Sequence, residues 1–161
     1  VSQGTAAPSR APLANALLRV DEPDPAELRV PMTLVLCPAC TLLQLRETVD
    51  PERLFADYRY FSSYAATTLA YADALAEQLC ARLQLTARHR VVEVASNDGY
   101  LLRPFQARGV GVLGIEPAAN VAAVAIERGV PTEVAFFGRQ RADELRHRHG
   151  PFDLLLANNV L

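Results

Sequence analysis

The chain has 161 residues, of which 50% are hydrophobic and 21% charged, enough for one ordinary domain with room for a second small one. No stretch reaches the ~20 apolar residues that a bilayer span requires, and the first residues lack the build of a signal peptide. The net charge of −2 argues against binding to nucleic acid through bulk electrostatics. Three cysteines do not make a disulfide framework, so we expect a cytoplasmic protein.

The first part of the chain predicts a small module. Residues 1–30 are rich in proline and predict loop. From Leu28 to Leu45 the pattern is strand, tight turn and strand, with Cys37–Cys40 at the turn. Asp50-Pro51 then predicts the start of a short helix over residues 51–57, because aspartate is a good N-cap and proline suits the first helical position.

A longer helix is predicted next. Ser62 or Ser63 is placed to cap it, and it runs to about Leu83. Its inner stripe, at helical spacing, is Leu69, Ala72, Leu75 with Ala76, Leu79 and Leu83. Cys80 lies beside this stripe and is most simply a core residue.

After Arg90, short apolar strands alternate with helices of about ten residues. The predicted strands are 91–94, 110–115, 132–136 and 152–156, and the predicted helices are 100–108, 118–128 and 139–148. This order predicts an α/β fold with a doubly wound parallel sheet and right-handed crossovers. Four strands and three helices make about half of such a fold, so we expect the sequence to be a fragment.

The segment from Glu93 to Gly99 follows the first of these strands, where a doubly wound fold binds a nucleotide-like ligand. The backbone must turn sharply there, and Ala95, Asn97 and Gly99 are small or tolerate a left-handed conformation. Glu116 ends the second strand, and an acid at that point accepts hydrogen bonds from ribose hydroxyls. The alternative is an ordinary strand–helix turn with a surface glutamate, because two of the three fingerprint glycines are replaced.

Two features favour an adenosyl ligand over a dinucleotide. Asp98 would put a negative charge where a pyrophosphate binds, whereas S-adenosylmethionine has no phosphate and carries a positive sulfonium and amino group. Phe137 follows the third strand and is placed to contact an adenine, while we expect Phe136 to be a core residue. Asn158 lies just beyond the fourth strand, where it would either contact the ligand or cap a helix.

Several unusual motifs extend over nearly the whole chain. They are Pro-Leu-Ala-Asn (12–15), Leu-Cys-Pro-Ala-Cys-Thr-Leu-Leu-Gln-Leu (36–45), Leu-Phe-Ala-Asp-Tyr-Arg-Tyr-Phe-Ser-Ser (54–63), Glu-Val-Ala-Ser-Asn-Asp-Gly-Tyr-Leu-Leu (93–102), Gly-Ile-Glu-Pro-Ala-Ala-Asn-Val-Ala (114–122), Phe-Phe-Gly (136–138) and Ala-Asn-Asn-Val-Leu (157–161). In these motifs the chain resembles the sugar C-methyltransferases of deoxysugar biosynthesis. These are class I S-adenosylmethionine-dependent enzymes with a Rossmann-like domain and an amino-terminal zinc module.

The resemblance implies methyl transfer to a carbon, typically C3 of a nucleotide-linked 4-keto-deoxysugar, through an enolate. It places the segment with Tyr58, Tyr60, Ser62 and Ser63 at the cofactor and substrate cleft; interdomain packing with a serine cap is the alternative. The family's general base lies past Leu161, so we expect this chain to be inactive alone. The implied cofactor-binding residues are Glu93, Ala95, Asn97, Asp98, Gly99, Glu116, Pro117, Phe137 and Asn158.

Cys37 and Cys40 form a Cys-x-x-Cys turn between two strands, which supplies two of the four ligands of a structural zinc. On spacing alone, small core cysteines or a redox pair are favoured. The resemblance implies zinc in the intact protein, with a second cysteine pair ahead of the Pro-Leu-Ala-Asn motif. It divides the chain into an incomplete zinc-ribbon-like module (1–62), a linking helix (63–85) and the first half of the methyltransferase domain (86–161).

Two other functions remain open at this point. A nicotinamide-dependent oxidoreductase acting on nucleotide sugars would use the same fold, although the missing glycines count against it. A non-catalytic zinc and Rossmann interaction module would bind neither cofactor. For the enzyme, the expected partner is a nucleotide sugar, with no nucleic acid and no membrane.

Overall fold

The computed structural model describes residues 9–18, 20–21, 27–55 and 57–160. The chain divides into two compact units, one ending at Arg59 and the other beginning at Tyr60. Within the described ranges, no helix has the length and apolar character needed to cross a membrane.

The first unit consists of two antiparallel strand pairs and a short helix. The predicted cysteine-containing hairpin is confirmed, since the strands on either side of the turn pair with each other. The loop predicted over residues 1–30 is wrong at Ser9–Pro12, which forms a strand paired with Arg29–Met32. The elements are β1 (Ser9–Pro12), β2 (Arg29–Met32), β3 (Leu34–Leu36), β4 (Leu43–Leu45) and α1 (Pro51–Phe55).

The second unit contains a four-stranded parallel sheet with strand order β7-β6-β5-β8. The predicted α/β class is confirmed. All strands run the same way, so their carboxyl ends meet at one edge, where such sheets bind ligands. The elements are a 3₁₀ turn (Ser62–Tyr64), α2 (Ala66–Leu83), β5 (Arg90–Val94), α3 (Leu102–Ala107), β6 (Gly111–Glu116), α4 (Ala119–Glu127), β7 (Thr132–Val134), α5 (Arg139–His149) and β8 (Leu154–Ala157).

Helices pack on both faces of this sheet. Successive residues of a strand point to opposite faces, and Val91 and Val92 of β5 accordingly belong to two different buried clusters. The cluster of Val91 includes side chains of α2, α3 and α4, and the cluster of Val92 includes Leu145 of α5. A parallel sheet covered on both faces explains why its strands are short, nearly continuous apolar runs.

The helix α2 contributes to the core of the second unit through small residues. Ala72 and Ala76 are fully buried, and Cys80 packs against the same cluster, as predicted. The predicted inner stripe is wrong at its two ends, because Leu69 and Leu83 are 39% and 43% exposed. The predicted serine cap is wrong: the N-cap is Ala65, which makes no side-chain capping bond. Ser62 and Ser63 lie instead in the 3₁₀ turn. There the Ser62 N–H donates to Asn97 Oδ1, and the Ser63 hydroxyl accepts a hydrogen bond from Arg128.

Gly114 of β6 has no room for a side chain. A Cβ at this position would overlap Ser96 Oγ and lie 2.9 Å from Thr132 Oγ1. We expect Gly114→Ala to lower the free energy of unfolding by about 1–3 kcal/mol, measured by urea denaturation, because the added methyl overpacks the site.

Gly111→Ala in the same strand is the matched control, because its closest contact is the flexible side chain of Arg90, at 3.1 Å. Its effect should stay below about 1 kcal/mol. Equal losses in the two variants would show that β6 tolerates no alanine at all and that the contact with Ser96 is not the cause.

Candidate functional site

The loop between β5 and α3 is held in an unusual backbone conformation. Ala95, Asn97 and Gly99 have φ angles of 52°, 51° and 76°, all in the left-handed region. Non-glycine residues there are strained by about 1–2 kcal/mol each, so surrounding contacts must fix the loop. Gly99 is also required by packing, because a Cβ would lie 2.9 Å from Val130 Cγ2.

Glu116 fixes this loop to the end of β6. Its carboxylate accepts the Asn97 N–H at Oε2 and the Ala118 N–H at Oε1, both at 2.9 Å. The side chain is 3% exposed, and burial raises its pKa while these two N–H groups act in the opposite direction. The predicted acid therefore lies beside the predicted loop, with one oxygen bonded to that loop and the other to the turn after β6.

Glu93, at the carboxyl end of β5, is buried among other acids. It is 1% exposed, and its Oε2 finds no hydrogen-bond partner among the described residues. Burial raises the pKa of Glu93 well above its usual range, and the negative charges of Glu116 and Asp98 raise it further. A cation or a hydrogen-bond donor placed next to Oε2 would offset the cost of burying this carboxyl group without a partner and its repulsion by the neighbouring acids.

Asp98 is fully buried but only half satisfied. Its Oδ2 accepts a hydrogen bond from Arg128 Nη1 at 2.8 Å, whereas Oδ1 has no partner among the described residues. The hydroxyl of Ser96, two residues earlier, is also buried and has no hydrogen-bond partner among the described residues. Arg128 was missed by the sequence analysis, because an arginine at the end of a helix is usually explained by the helix dipole.

Asn158 connects the end of β8 to the turn before α3, which follows the neighbouring strand β5. Its Nδ2 donates a hydrogen bond to the Tyr100 hydroxyl at 2.7 Å. Tyr100 is 7% exposed, and burial is the main cause of its raised pKa. Tyr100 was also missed: the motif contains it, but nothing in its spacing pointed to a contact 58 residues away.

The two phenylalanines after β7 are both accessible to solvent. Phe137 is 39% exposed, which leaves a face for a ligand, while Pro117 beyond β6 is half-buried. The predicted core position of Phe136 is wrong, since this side chain is 45% exposed. The reason is the length of β7, which ends at Val134, so the chain has left the sheet before Phe136.

The tyrosine and serine segment is divided between the two units. Tyr58 belongs to the first unit, where its hydroxyl accepts a hydrogen bond from Asn15 Nδ2 at 3.2 Å. In the second unit, Asn97 bonds to the backbone of Tyr60 and Ser62, at 3.0 and 2.8 Å respectively. Arg128 Nη1 donates to Ser63 Oγ at 2.9 Å. The structure thus brings three of these four residues next to the loop.

Cys37 and Cys40 lie in the turn between β3 and β4. The Cys37 N–H donates to the Leu42 carbonyl at 2.9 Å, and the Thr41 N–H donates to the Cys37 carbonyl at 2.8 Å. The backbone N–H groups of Cys40 and Ala39 lower the pKa of the Cys37 thiol, which favours the thiolate that binds metals. Across the described ranges, no three His, Cys, Asp or Glu side chains gather as a metal site.

Comparison with known proteins gave two findings. Residues 9–55 match the family described as "Putative zinc binding domain". The chain is similar to the C-methyltransferase NovU of Streptomyces niveus, with 37% identity over 139 residues, which is 86% of this chain and 33% of that relative. The chain therefore spans about a third of the length of the curated relative it matches.

The buried acids give the stability of the protein a specific pH dependence. The pKa of Glu93 is higher in the folded than in the unfolded chain, so the folded state binds this proton more tightly. The free energy of unfolding should therefore fall as the pH rises above the usual glutamate pKa of 4.5 and level off above the folded pKa. We expect Glu93→Gln to remove most of this fall, with a smaller part remaining from Glu116.

The measurement is urea denaturation between about pH 4 and pH 8. Glu127→Gln, at an exposed position of α4, is the matched control and should keep the wild-type slope. An unchanged slope in Glu93→Gln would mean that this carboxyl is not the group responsible.

Proposed function

This chain is related over most of its length to the C-methyltransferases, as its motifs predicted, and we propose that it carries the S-adenosylmethionine-binding part of such an enzyme. The observation that carries this proposal is a pair of buried acceptors at and just after the end of β5, Glu93 Oε2 and Asp98 Oδ1, which have no hydrogen-bond partner among the described residues. As the methyl acceptor we propose the carbon beside the ketone of a nucleotide-linked 4-keto-deoxysugar.

The charge of this site suits S-adenosylmethionine. The cofactor brings a positive sulfonium and an ammonium group, which would supply positive charge and donors to the two acceptor oxygens that have no partner in the described part of the chain. A dinucleotide would instead place a pyrophosphate near three buried carboxyl groups, which is electrostatically unfavourable. Each Glu116 oxygen uses one lone pair for a backbone N–H and keeps another for a ribose hydroxyl.

Different residues of the chain would then bind and orient different parts of the cofactor. When bound, S-adenosylmethionine supplies a methyl group activated by the positive sulfur. Glu93 and Asp98 would hold the ammonium end, with Arg128 keeping Asp98 in place, and Glu116 would hold the ribose. Fixing the methyl donor in this way makes the reaction effectively intramolecular once the sugar is bound.

The remaining assignments in the site follow from position. Asn158, just after β8, and the Tyr100 hydroxyl to which it is bonded would border the methionine end. Phe137 offers an exposed ring for the adenine. Tyr60, Ser62 and Ser63, which are hydrogen-bonded beside the loop, would contact the sugar. On the substrate, the ketone makes the neighbouring C–H acidic, so that a base can remove this proton, and polar side chains would stabilise the enolate oxygen that results.

Binding of S-adenosylhomocysteine to the 161-residue chain tests the proposal. We expect calorimetry to detect binding, and Glu116→Gln to weaken it about tenfold or more, because the substituted amide loses charged hydrogen bonds to the ribose. Glu144→Gln, which removes a surface acid of α5 paired with Arg141, is the control and should leave the affinity unchanged.

The same titration with NAD separates the alternatives. Tighter binding of NAD than of S-adenosylhomocysteine would replace the methyltransferase with a nicotinamide-dependent oxidoreductase. Binding of neither ligand to the folded chain would leave the non-catalytic interaction module.

We further propose that Cys37 and Cys40 are two ligands of a structural zinc, supported by the family matched over residues 9–55 and by the thiolate-stabilising turn. The other donors are not identified among the described residues. Cobalt(II) added to the chain should give a thiolate charge-transfer band that is lost in Cys37→Ala and in Cys40→Ala. Cys80→Ala, which changes a core cysteine, should keep the band, and its loss there would contradict the assignment.

A further inference from the structure

Asn97 stands where a dinucleotide-binding loop has glycine, yet its side chain makes two directed bonds. Asn97 Oδ1 accepts the Ser62 N–H at 2.8 Å, and Asn97 Nδ2 donates to the Tyr60 carbonyl at 3.0 Å. The carboxamide therefore contacts one backbone donor and one backbone acceptor, as a neighbouring strand would. Only 8% of Asn97 is exposed, so these bonds are shielded from water.

The backbone of Asn97 bonds in a different direction. Its N–H donates to Glu116 Oε2 at 2.9 Å. One residue thus joins the acid at the end of β6 to residues 60–63, which we call the flanking segment.

A second link lies at the next residue of the loop. Arg128 Nη1 donates both to Asp98 Oδ2 at 2.8 Å and to Ser63 Oγ at 2.9 Å. The two consecutive loop residues are therefore both connected to the flanking segment, Asn97 directly and Asp98 through Arg128.

The left-handed backbone does not by itself explain an asparagine. Glycine adopts a φ of 51° without strain and would keep the N–H bond to Glu116, which needs no side chain. What glycine would lose is the pair of bonds to Tyr60 and Ser62. The carboxamide therefore has a task apart from the shape of the loop.

We propose that Asn97 is a positioning residue that couples the flanking segment to the ligand-binding loop. The part of this inference that concerns S-adenosylmethionine rests on the proposed function. The side chain of Asn97 bonds to the flanking segment, whereas its backbone N–H bonds to Glu116. Ligand bound in the loop then orders Tyr60, Ser62 and Ser63 as well, so that groups placed to meet the sugar become fixed when the methyl donor is present.

Amide hydrogen exchange of the 161-residue chain, followed by NMR, tests this coupling. Without ligand, Asn97→Gly should speed exchange of the Ser62 amide about tenfold or more, because its acceptor is gone, while core amides such as Val92 stay unchanged. Asn97→Asp keeps an acceptor oxygen and should restore protection of Ser62. With S-adenosylhomocysteine, the wild type should gain protection in both the loop and the flanking segment, and Asn97→Gly in the loop alone.

Three results would overturn the proposal: unchanged exchange of Ser62 in Asn97→Gly, an equal rise at every core amide, or ligand-induced protection of the segment that survives the substitution. If the wild type does not bind S-adenosylhomocysteine, the proposed function fails, whereas the ligand-free comparison still decides the role of Asn97. If Asn97→Gly does not fold, Asn97→Ala removes the same two side-chain bonds, and the proposal then requires faster exchange of Ser62 in that variant.

Discussion

The site depends on the pair of hydrogen bonds that Glu116 accepts from the backbone of Asn97 and Ala118. These bonds connect the loop after β5 to the turn after β6, the two places where a parallel sheet of this kind meets a ligand. Because the carboxylate is buried, its two bonds are worth more than they would be in water. The left-handed loop is thereby held at Asn97, while Arg128 holds the neighbouring Asp98.

Much of the second unit was predictable because its signals are local. Buried parallel strands are short apolar runs, and left-handed turns select small or φ-tolerant residues, so β5, β6 and the loop between them could be identified from residue types. The first strand, Ser9–Pro12, carries no alternating pattern and forms only because Arg29–Met32 lies beside it. The misplaced Phe136 has a similar origin, since the end of β7 depends on its neighbour β6 rather than on its own sequence.

The contacts that complete the site were beyond sequence reasoning for another reason: they join residues far apart in the chain. Asn97 and Ser62 are 35 positions apart, and Arg128 and Ser63 are 65 apart. No spacing rule links such pairs, and each side chain has an ordinary local explanation, a turn former in one case and a helix-end cation in the other. The motif identified the loop, and the tertiary structure supplied its partners.

The strained loop has a thermodynamic consequence for recognition. Ala95 and Asn97 occupy left-handed positions, and their side chains allow the loop fewer conformations than glycine would. A ligand that binds there would therefore have less backbone to order at Ala95 and Asn97 than in a glycine-rich loop. Glycine at these two positions would relieve the strain of the loop and leave it more conformations before any ligand binds.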